Sequence, residues 1–322
     1  MAVEDILMQI LRAVRLTGAV NFCLSPSGNW HSSAGPTMEK LGLVAGSAVP
    51  FHIIAEGNCW LKCNGQSYAL NEGDIVAFPF ATPHQLGRGQ GGFDIEPLKE
   101  LPAPPWSGVP TVDLPGGDDP VRILCGFLFC SALGFQPMAE QIPAVLHARA
   151  ADDQSGWMKI TIAQIEHEVA YSVEGSPIQE RLTETMFLQM LRQEIDTATP
   201  AAMGWLAAIS DPAIGKCIAG IHHEPTREWT IDELARSSGL SNSALSDRFQ
   251  RHMGISPVRY VREWRLHLAR IALAETQDSV AEIGYASGYG SEAAFNRAFS
   301  KVYGMPPATW RETAQFNMPL SK

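Results

Sequence analysis

The amino-acid sequence predicts an α+β chain, with a β-rich barrel first and an all-α domain of two helix–turn–helix units last. Three observations carry this. Residues 20–130 alternate short apolar runs with Gly, Pro and Asn punctuation, the texture of closely spaced strands in a barrel or jelly roll. After Pro137 the apolar positions take a helical period. In the last part of the chain one motif occurs twice. A length of 322 residues accommodates two domains, placed at 1–210 and 211–322.

Residues 5–16 read as a short helix with Ile6, Leu7, Ile10, Leu11 and Val14 on one side. Glu4 and Asp5 make this segment a poor signal peptide, and no apolar run reaches the ~18 residues of a membrane span. A soluble cytoplasmic protein that does not enter membranes is the expectation. Strands are predicted around Phe51–Ile54, Cys59–Cys63, Asp74–Phe78 and Arg122–Phe129, with turns at Asn64-Gly65 and Asn71-Glu72-Gly73. Residues 87–120, rich in Gly, Pro and Asp, read as a long surface loop. A helix over Ile178–Ile195 sets Leu182, Met186, Met190 and Leu191 near one stripe, which packs on the barrel or on a second subunit of a homodimer.

The first copy of the repeat reads Leu234-Ala235, Gly239-Leu240-Ser241, Leu245, Phe249, Gly254, Ser256-Pro257. The second reads Ile283-Gly284, Gly288-Tyr289, Ser291, Phe295, Phe299, Gly304, Pro306-Pro307. Thr230 with Glu233, and Ser279 with Glu282, form capping boxes, and Ser241 and Ser291 are N-caps. Ser256-Pro257 opens a longer helix, to about Glu275, that joins the two units. Two such units on one face of a duplex would enter major grooves roughly 34 Å apart.

In the second helix of each unit, Leu245, Phe249, Phe295 and Phe299 face the core. The opposite face then carries Asn242, Ser243, Ser246, Asp247 and Gln250 in the first unit, and Glu292, Ala293, Asn296 and Arg297 in the second. Arg297 suits a bidentate contact with guanine and Asn296 with adenine, whereas Asp247 suits cytosine N4. Arg248, Arg251, Arg262 and Lys301 are candidates for phosphate contacts. From Ile221 onward 12 Lys/Arg face 11 Asp/Glu, a net of +1, so the N-terminal part carries −11 and accounts for the whole of the net charge of −10. A near-neutral reader joined to an acidic sensor is compatible with binding double-stranded DNA.

The stretch Gly288-Tyr289-Gly290-Ser291-Glu292-Ala293-Ala294-Phe295-Asn296-Arg297-Ala298-Phe299 resembles the most recognisable segment of AraC/XylS-family transcription regulators. The resemblance implies a base-contacting arginine at Arg297 and contact with RNA polymerase; where the first unit commonly has Arg, Asp247 stands. Phe51–Leu61 and Gly73–Pro79 with His84 resemble the cupin barrel found at the N-terminus of one branch of that family. Cupin enzymes set several His and a Glu around a metal; only His52 and His84 match here, and the His-x-His pair is absent.

His52, His84 and Cys125 on neighbouring strands suit tetrahedral Zn²⁺, with Cys23 the fourth ligand by resemblance. Relatives that sense reactive chlorine imply a redox role for Cys23 and Cys125. Cys59, Cys63 and Cys130 read as small buried hydrophobes, and the adjacent His222-His223 as no site. The expected function is a DNA-binding transcription regulator, not an enzyme. Its cupin-like domain would sense an unknown effector: a small molecule, a metal or an oxidant. The alternative is a metal-dependent cupin enzyme with an appended helical domain.

Overall fold

A computed structural model describes residues 16–34, 48–101, 108–114, 119–130, 135, 142–171, 176–197 and 204–316. The chain divides into two units. The barrel unit comprises Leu16–Cys130 and Pro143–Asp196. The helical unit comprises Met1–Arg15, Ser131–Ile142 and Thr197–Lys322, so it begins upstream of the 210/211 boundary drawn from sequence. The helix expected over 5–16 lies outside the described residues, except that Leu16 begins a strand.

The barrel unit is built from two sheets. Strands β1 (Leu16–Pro26), β3 (Ala48–Glu56), β6 (Ile75–Ala77), β9 (Thr111–Leu114), β10 (Arg122–Cys130) and β11 (Leu146–Ala148) form one, in the order β11-β6-β3-β10-β1-β9. Strands β2 (Trp30–Ser33), β4 (Asn58–Cys63), β5 (Gln66–Asn71), β7 (His84–Arg88) and β8 (Phe93–Ile95) form the other, in the order β5-β4-β7-β2-β8. Between β4 and β5, Asn64 and Gly65 both take positive φ (48° and 75°), the requirement of a two-residue type I′ hairpin. The core lies between the sheets. Phe22, Leu24, Ile54, Val76, Ile123 and Cys125 from the first sheet meet Trp30, Leu61, Leu70 and Leu86 from the second. Each fully buried Leu, Ile or Phe contributes roughly 1.5–3 kcal/mol.

Strand β4 alternates, with Cys59, Leu61 and Cys63 buried and Asn58 and Lys62 exposed. Strand β3 does not: Ala48 through Ile54 are all buried. Its sheet is therefore covered on both faces. Helices α2 (Trp157–Tyr171) and α3 (Pro177–Thr197) are tied to that sheet. Glu166 pairs with Arg122 of β10 at 3.0 Å, and Gln179 Nε2 donates to the Val20 carbonyl at 3.4 Å. Met186, Met190 and Leu191 of the expected α3 stripe are buried, whereas Leu182 is only half-buried. Gly126 lets β10 pass close to its neighbours, because a Cβ there would meet the Ala19 carbonyl oxygen at 2.3 Å and the Phe51 ring at 2.4 Å.

Two expectations need correction. The 87–120 segment is not one loop: its described residues include the end of β7, all of β8, a short helix α1 (Pro97–Glu100), and β9, which pairs in parallel with β1. The helical pattern after Pro137 is interrupted by β11, which pairs with β6. Asp74 fastens that pairing. Its carboxylate, almost fully buried, accepts from the Asn71 and Ala150 backbone N–H groups at 3.0 and 2.8 Å and lies 3.2 Å from His147 Nε2.

The helical unit contains α4 (Trp205–Ser210), α5 (Pro212–His223), α6 (Ile231–Ser238), α7 (Asn242–Met253), α8 (Pro257–Glu275), α9 (Val280–Ala286), α10 (Glu292–Tyr303) and α11 (Pro307–Phe316). Helix α8 is the shared support, contacting α6 and α7 on one side of the repeat and α9, α10 and α11 on the other. Around its first half Tyr260 and Trp264 are fully buried with Phe249 and Phe135; the Phe135 ring lies edge-on 5.3 Å from Tyr260 and 5.1 Å from Trp264. Around its second half Leu266, Ala269 and Leu273 meet Ile283, Phe295 and Phe299. Among the described residues no helix is long and apolar enough to cross a membrane.

Replacing Asp74 by Ala would leave three donors without their acceptor in a buried place. The expected loss is about 3 kcal/mol of barrel-unit stability, read as a lower urea midpoint at unchanged slope. A loss below 0.5 kcal/mol would show that the fastening is dispensable.

Candidate functional site

The two predicted reader helices are α7 and α10. Both capping boxes form: the Glu233 N–H donates to Thr230 Oγ1 at 3.2 Å while the Thr230 N–H donates to Glu233 Oε2 at 3.0 Å, and Ser279 and Glu282 repeat the pattern. Ser241 and Ser291 accept from the Ala244 and Ala294 N–H groups at 3.3 and 3.2 Å. Each reader helix then buries one apolar stripe, Leu245 with Phe249 and Phe295 with Phe299, all fully inaccessible. Helical spacing turns the opposite face outward. Asn242, Ser243, Asp247, Gln250 and Arg251 on α7, and Glu292, Ala293, Arg297 and Lys301 on α10, are exposed; Ser246 and Asn296 are half-buried beside them.

An arginine also braces each unit from behind. Arg265 of α8 donates to the Pro225 and Arg227 carbonyls, both at 2.7 Å, ahead of the first unit. Arg311 of α11 donates to the Leu273 and Asp278 carbonyls at 3.1 and 2.6 Å, ahead of the second.

Two predicted contact residues already have partners within the helical unit. Arg248 points its Nη1 at Asp211, 3.1 Å from Oδ2. Asp211 is the N-cap of α5, accepting from the Ala213 and Ile214 N–H groups. Asn242 donates to Asp232 of α6 at 2.5 Å. The partner of Arg248 lies 37 residues upstream, with no periodicity linking the two, so the pairing leaves no mark along the chain. Among the described residues Arg251, Arg297 and Lys301 have no ion pair.

In the barrel unit, His52 of β3, His84 of β7 and Cys125 of β10 come together. Cys125 pairs with His52 in the β3–β10 register. His52 Nδ1 lies 3.2 Å from Cys125 Sγ, His52 Nε2 lies 2.8 Å from His84 Nε2, and His84 Nδ1 lies 2.8 Å from the Thr82 carbonyl oxygen. These contacts determine the protons. A carbonyl only accepts, so His84 Nδ1 carries hydrogen and its Nε2 accepts. His52 Nε2 must then donate, its Nδ1 must accept, and Cys125 must be a thiol.

Burial agrees with this assignment. It drives the His52 imidazole well below its ordinary value, helped by His84. It lowers His84 to about 4 against the opposing bond to Thr82, and raises the Cys125 thiol well above its usual 9.0. His84 also stacks on Phe78 at 3.5 Å between ring centroids.

The four-residue metal set is not brought together. The two nitrogens of His52 point to opposite neighbours, so one ion cannot take His52, His84 and Cys125 at once. Cys23 pairs across β10 with Leu124, while Cys125 pairs with Phe22, so the two thiols project from opposite faces of the sheet. The same placement separates the expected redox pair, and burial raises Cys23 as well, against the lowering influence of Arg122. Among the described residues no three His, Cys, Asp or Glu side chains are grouped to hold a metal ion. Cys59 and Cys63 are buried as expected, and the Cys130 side chain lies outside the described residues. His222, passed over in sequence, is buried with its Nε2 2.8 Å from the Tyr260 hydroxyl and its ring stacked on Trp264. His52, His84 and Cys125 line a pocket with Phe22, Leu24, Ser32, Leu86 and Phe127.

A cupin family model matches residues 5–196 and a helix-turn-helix domain model matches residues 234–313. A putative AraC-like transcription regulator of Streptomyces lividans is 27% identical over 96% of this chain and 98% of its own length. The RCS-specific HTH-type transcriptional activator RclR of Escherichia coli (strain K12) is 22% identical over 83% of this chain and 85% of its own. A solved AraC-type transcriptional regulator from Chromobacterium violaceum is 26% identical, covering 33% of this chain and 94% of its own with a TM-score of 0.32.

The buried imidazoles give the barrel a defined acid sensitivity. The folded value of His84 lies below its unfolded value of 6.5, so the unfolded chain binds more protons as pH falls from 6.5 to about 4. Stability is expected to drop across that window by about 3 kcal/mol through His84 alone. His84→Gln should flatten the profile; an equally steep one in the variant would refute the assignment. On the reader side, Arg251→Ala is expected to reduce the slope of log affinity for DNA against log salt by about 0.9. Arg248→Ala, already held by Asp211, should change it by less than half as much, and an equal change would show that Arg248 leaves Asp211 for phosphate.

Proposed function

Because this chain belongs to the AraC-like DNA-binding transcription regulators with an N-terminal cupin domain, we propose that α7 and α10 are the helices that enter DNA, with Arg297 and Asn296 of α10 reading bases. One observation carries this reading. On a common support, α8, two helices each bury an apolar stripe and turn a short, polar, largely unpaired face outward. A fork of donors on Arg297 matches guanine O6 and N7, and the Asn296 amide matches adenine. The first unit offers Asp247 at the matching place, so its readout rests on a hydrogen-bond acceptor instead of a cation. The two units would therefore read chemically different half-sites.

The barrel pocket lined by His52, His84 and Cys125 is the place where a signal is received. It is concave and mostly apolar, with a few convergent polar groups, the usual composition of a ligand site. The signal acts by favouring one arrangement of the readers over another, which requires different affinity for the two. Full-length relatives named as regulators point away from an enzyme.

Fragments selected from genomic DNA by the intact protein provide the test. On the tightest of them, Arg297→Ala is expected to weaken binding by about 1–3 kcal/mol and to relax preference at one position of the site. Binding equal to the unsubstituted protein on every selected fragment would exclude Arg297 from base readout.

A further inference from the structure

One carboxylate joins three helices of the helical unit. Asp211 ends α4 and starts α5: its backbone N–H donates to the Ala207 carbonyl, and its Oδ1 accepts from the Ala213 and Ile214 N–H groups at 2.9 and 3.1 Å. Those bonds fix the carboxylate before any side chain approaches it. Its Oδ2 faces α7, where Arg248 Nη1 lies 3.1 Å away and His252 Nε2 3.9 Å away. The Asp211 side chain is 17% exposed and that of Arg248 41%. The arginine is therefore held on the flank of its helix, in reach of solvent, and is not packed in the core.

The second unit does without this cation. Ala298 stands at the matching place of α10 and packs on the core there. Arg251 and Lys301, by contrast, match one another, are exposed, and have no ion pair among the described residues. Arg248 stands three positions before Arg251, the spacing of neighbours on one side of a helix. Freed from Asp211, its guanidinium would reach the stretch of DNA backbone that Arg251 faces. With Asp211 in place, its charge is matched within the protein.

We propose that Asp211 is a positioning residue for DNA binding: it holds Arg248 off the DNA backbone and so limits how strongly the first unit binds a duplex of any sequence. The inference rests on the reading that α7 enters DNA, and adds to it a residue outside both reader helices. A phosphate contact carries no sequence information, so the restraint lowers general affinity without changing which fragments are preferred.

The test uses the full-length protein, the tightest selected DNA fragment and an unrelated duplex of equal length, with binding measured between about 50 and 200 mM salt. Asp211→Asn removes the charge and keeps an equally good N-cap for α5. It is expected to tighten binding to both duplexes by the same factor at low salt. It should also steepen the slope of log affinity against log salt by about 0.9, an added loss of roughly 3- to 4-fold across that range. Arg248→Gln in the Asp211→Asn background should return the slope to that of the unsubstituted protein. Steepening that survives Arg248→Gln would assign the effect to the charge of Asp211 itself and overturn the proposal. An unchanged slope, or weaker binding to the selected fragment alone, is the result of a purely structural link and would overturn it too. If Asp211→Asn does not fold, Asp211→Ser supplies a cap without charge. Arg248→Gln by itself also decides: a slope lowered by the full change of about 0.9 would show Arg248 already on the backbone and overturn the proposal. Arg251→Ala separates the proposal from the reading beneath it. A slope unmoved by Arg251→Ala and Asp211→Asn alike would remove α7 from the DNA. A slope moved by Arg251→Ala alone would remove the restraint on Arg248 and leave α7 in place.

Discussion

A carbonyl oxygen can accept a hydrogen bond but never donate one, and at Thr82 that rule governs the chemistry of the barrel interior. Through His84 and His52 it reaches Cys125 on a third strand and sets the protonation of all three. A buried network of this kind is stable only if every member is satisfied. The neutral state satisfies it completely, so the site resists both protonation and thiolate formation. Zinc ligation and selective oxidation each begin from a thiolate.

In the helical unit the governing requirement is a shared support. Helix α8 presents one apolar face to each half of the repeat, and its aromatic first half and aliphatic second half give the two reader helices separate cores. Capping boxes and serine N-caps start the helices at equivalent places, so equivalent faces turn outward. The units nonetheless differ where it matters for DNA. The first has Asp247 at the position of Arg297, and its Arg248 is bound to the start of α5 through Asp211. The second keeps Arg297 and Lys301 without an ion pair among the described residues.

Much of this was legible in the residues because it is local. The two capping boxes, the N-caps, the Asn64-Gly65 turn and the alternation of β4 depend on neighbours a few positions away. The grouping of His52, His84 and Cys125 was legible through the resemblance of their strands to a cupin barrel. What escaped depends on pairing over long separations. Strands β8, β9 and β11 are three or four residues long and hold their form by pairing with β2, β1 and β6. Their own residues carry almost no period to detect. The Arg248–Asp211 pair and the His222–Tyr260 bond span 37 and 38 positions and leave no pattern along the chain.

By itself, the sequence determined the division into a β-rich barrel and a doubled helix-turn-helix domain, together with the polar side chains available on the second helix of each unit. Periodicity and capping are short-range physics, so a linear string records them. Only the tertiary structure decided which of those side chains are at liberty and which thiol faces the pocket. Arg248 is held by a distant carboxylate. Cys23 falls on the far side of the sheet because strand register alternates one residue at a time. The direction of the protons from Cys125 to Thr82 was likewise a tertiary matter, since it follows from three strands and a loop meeting in one place, with a single acceptor-only oxygen at the end.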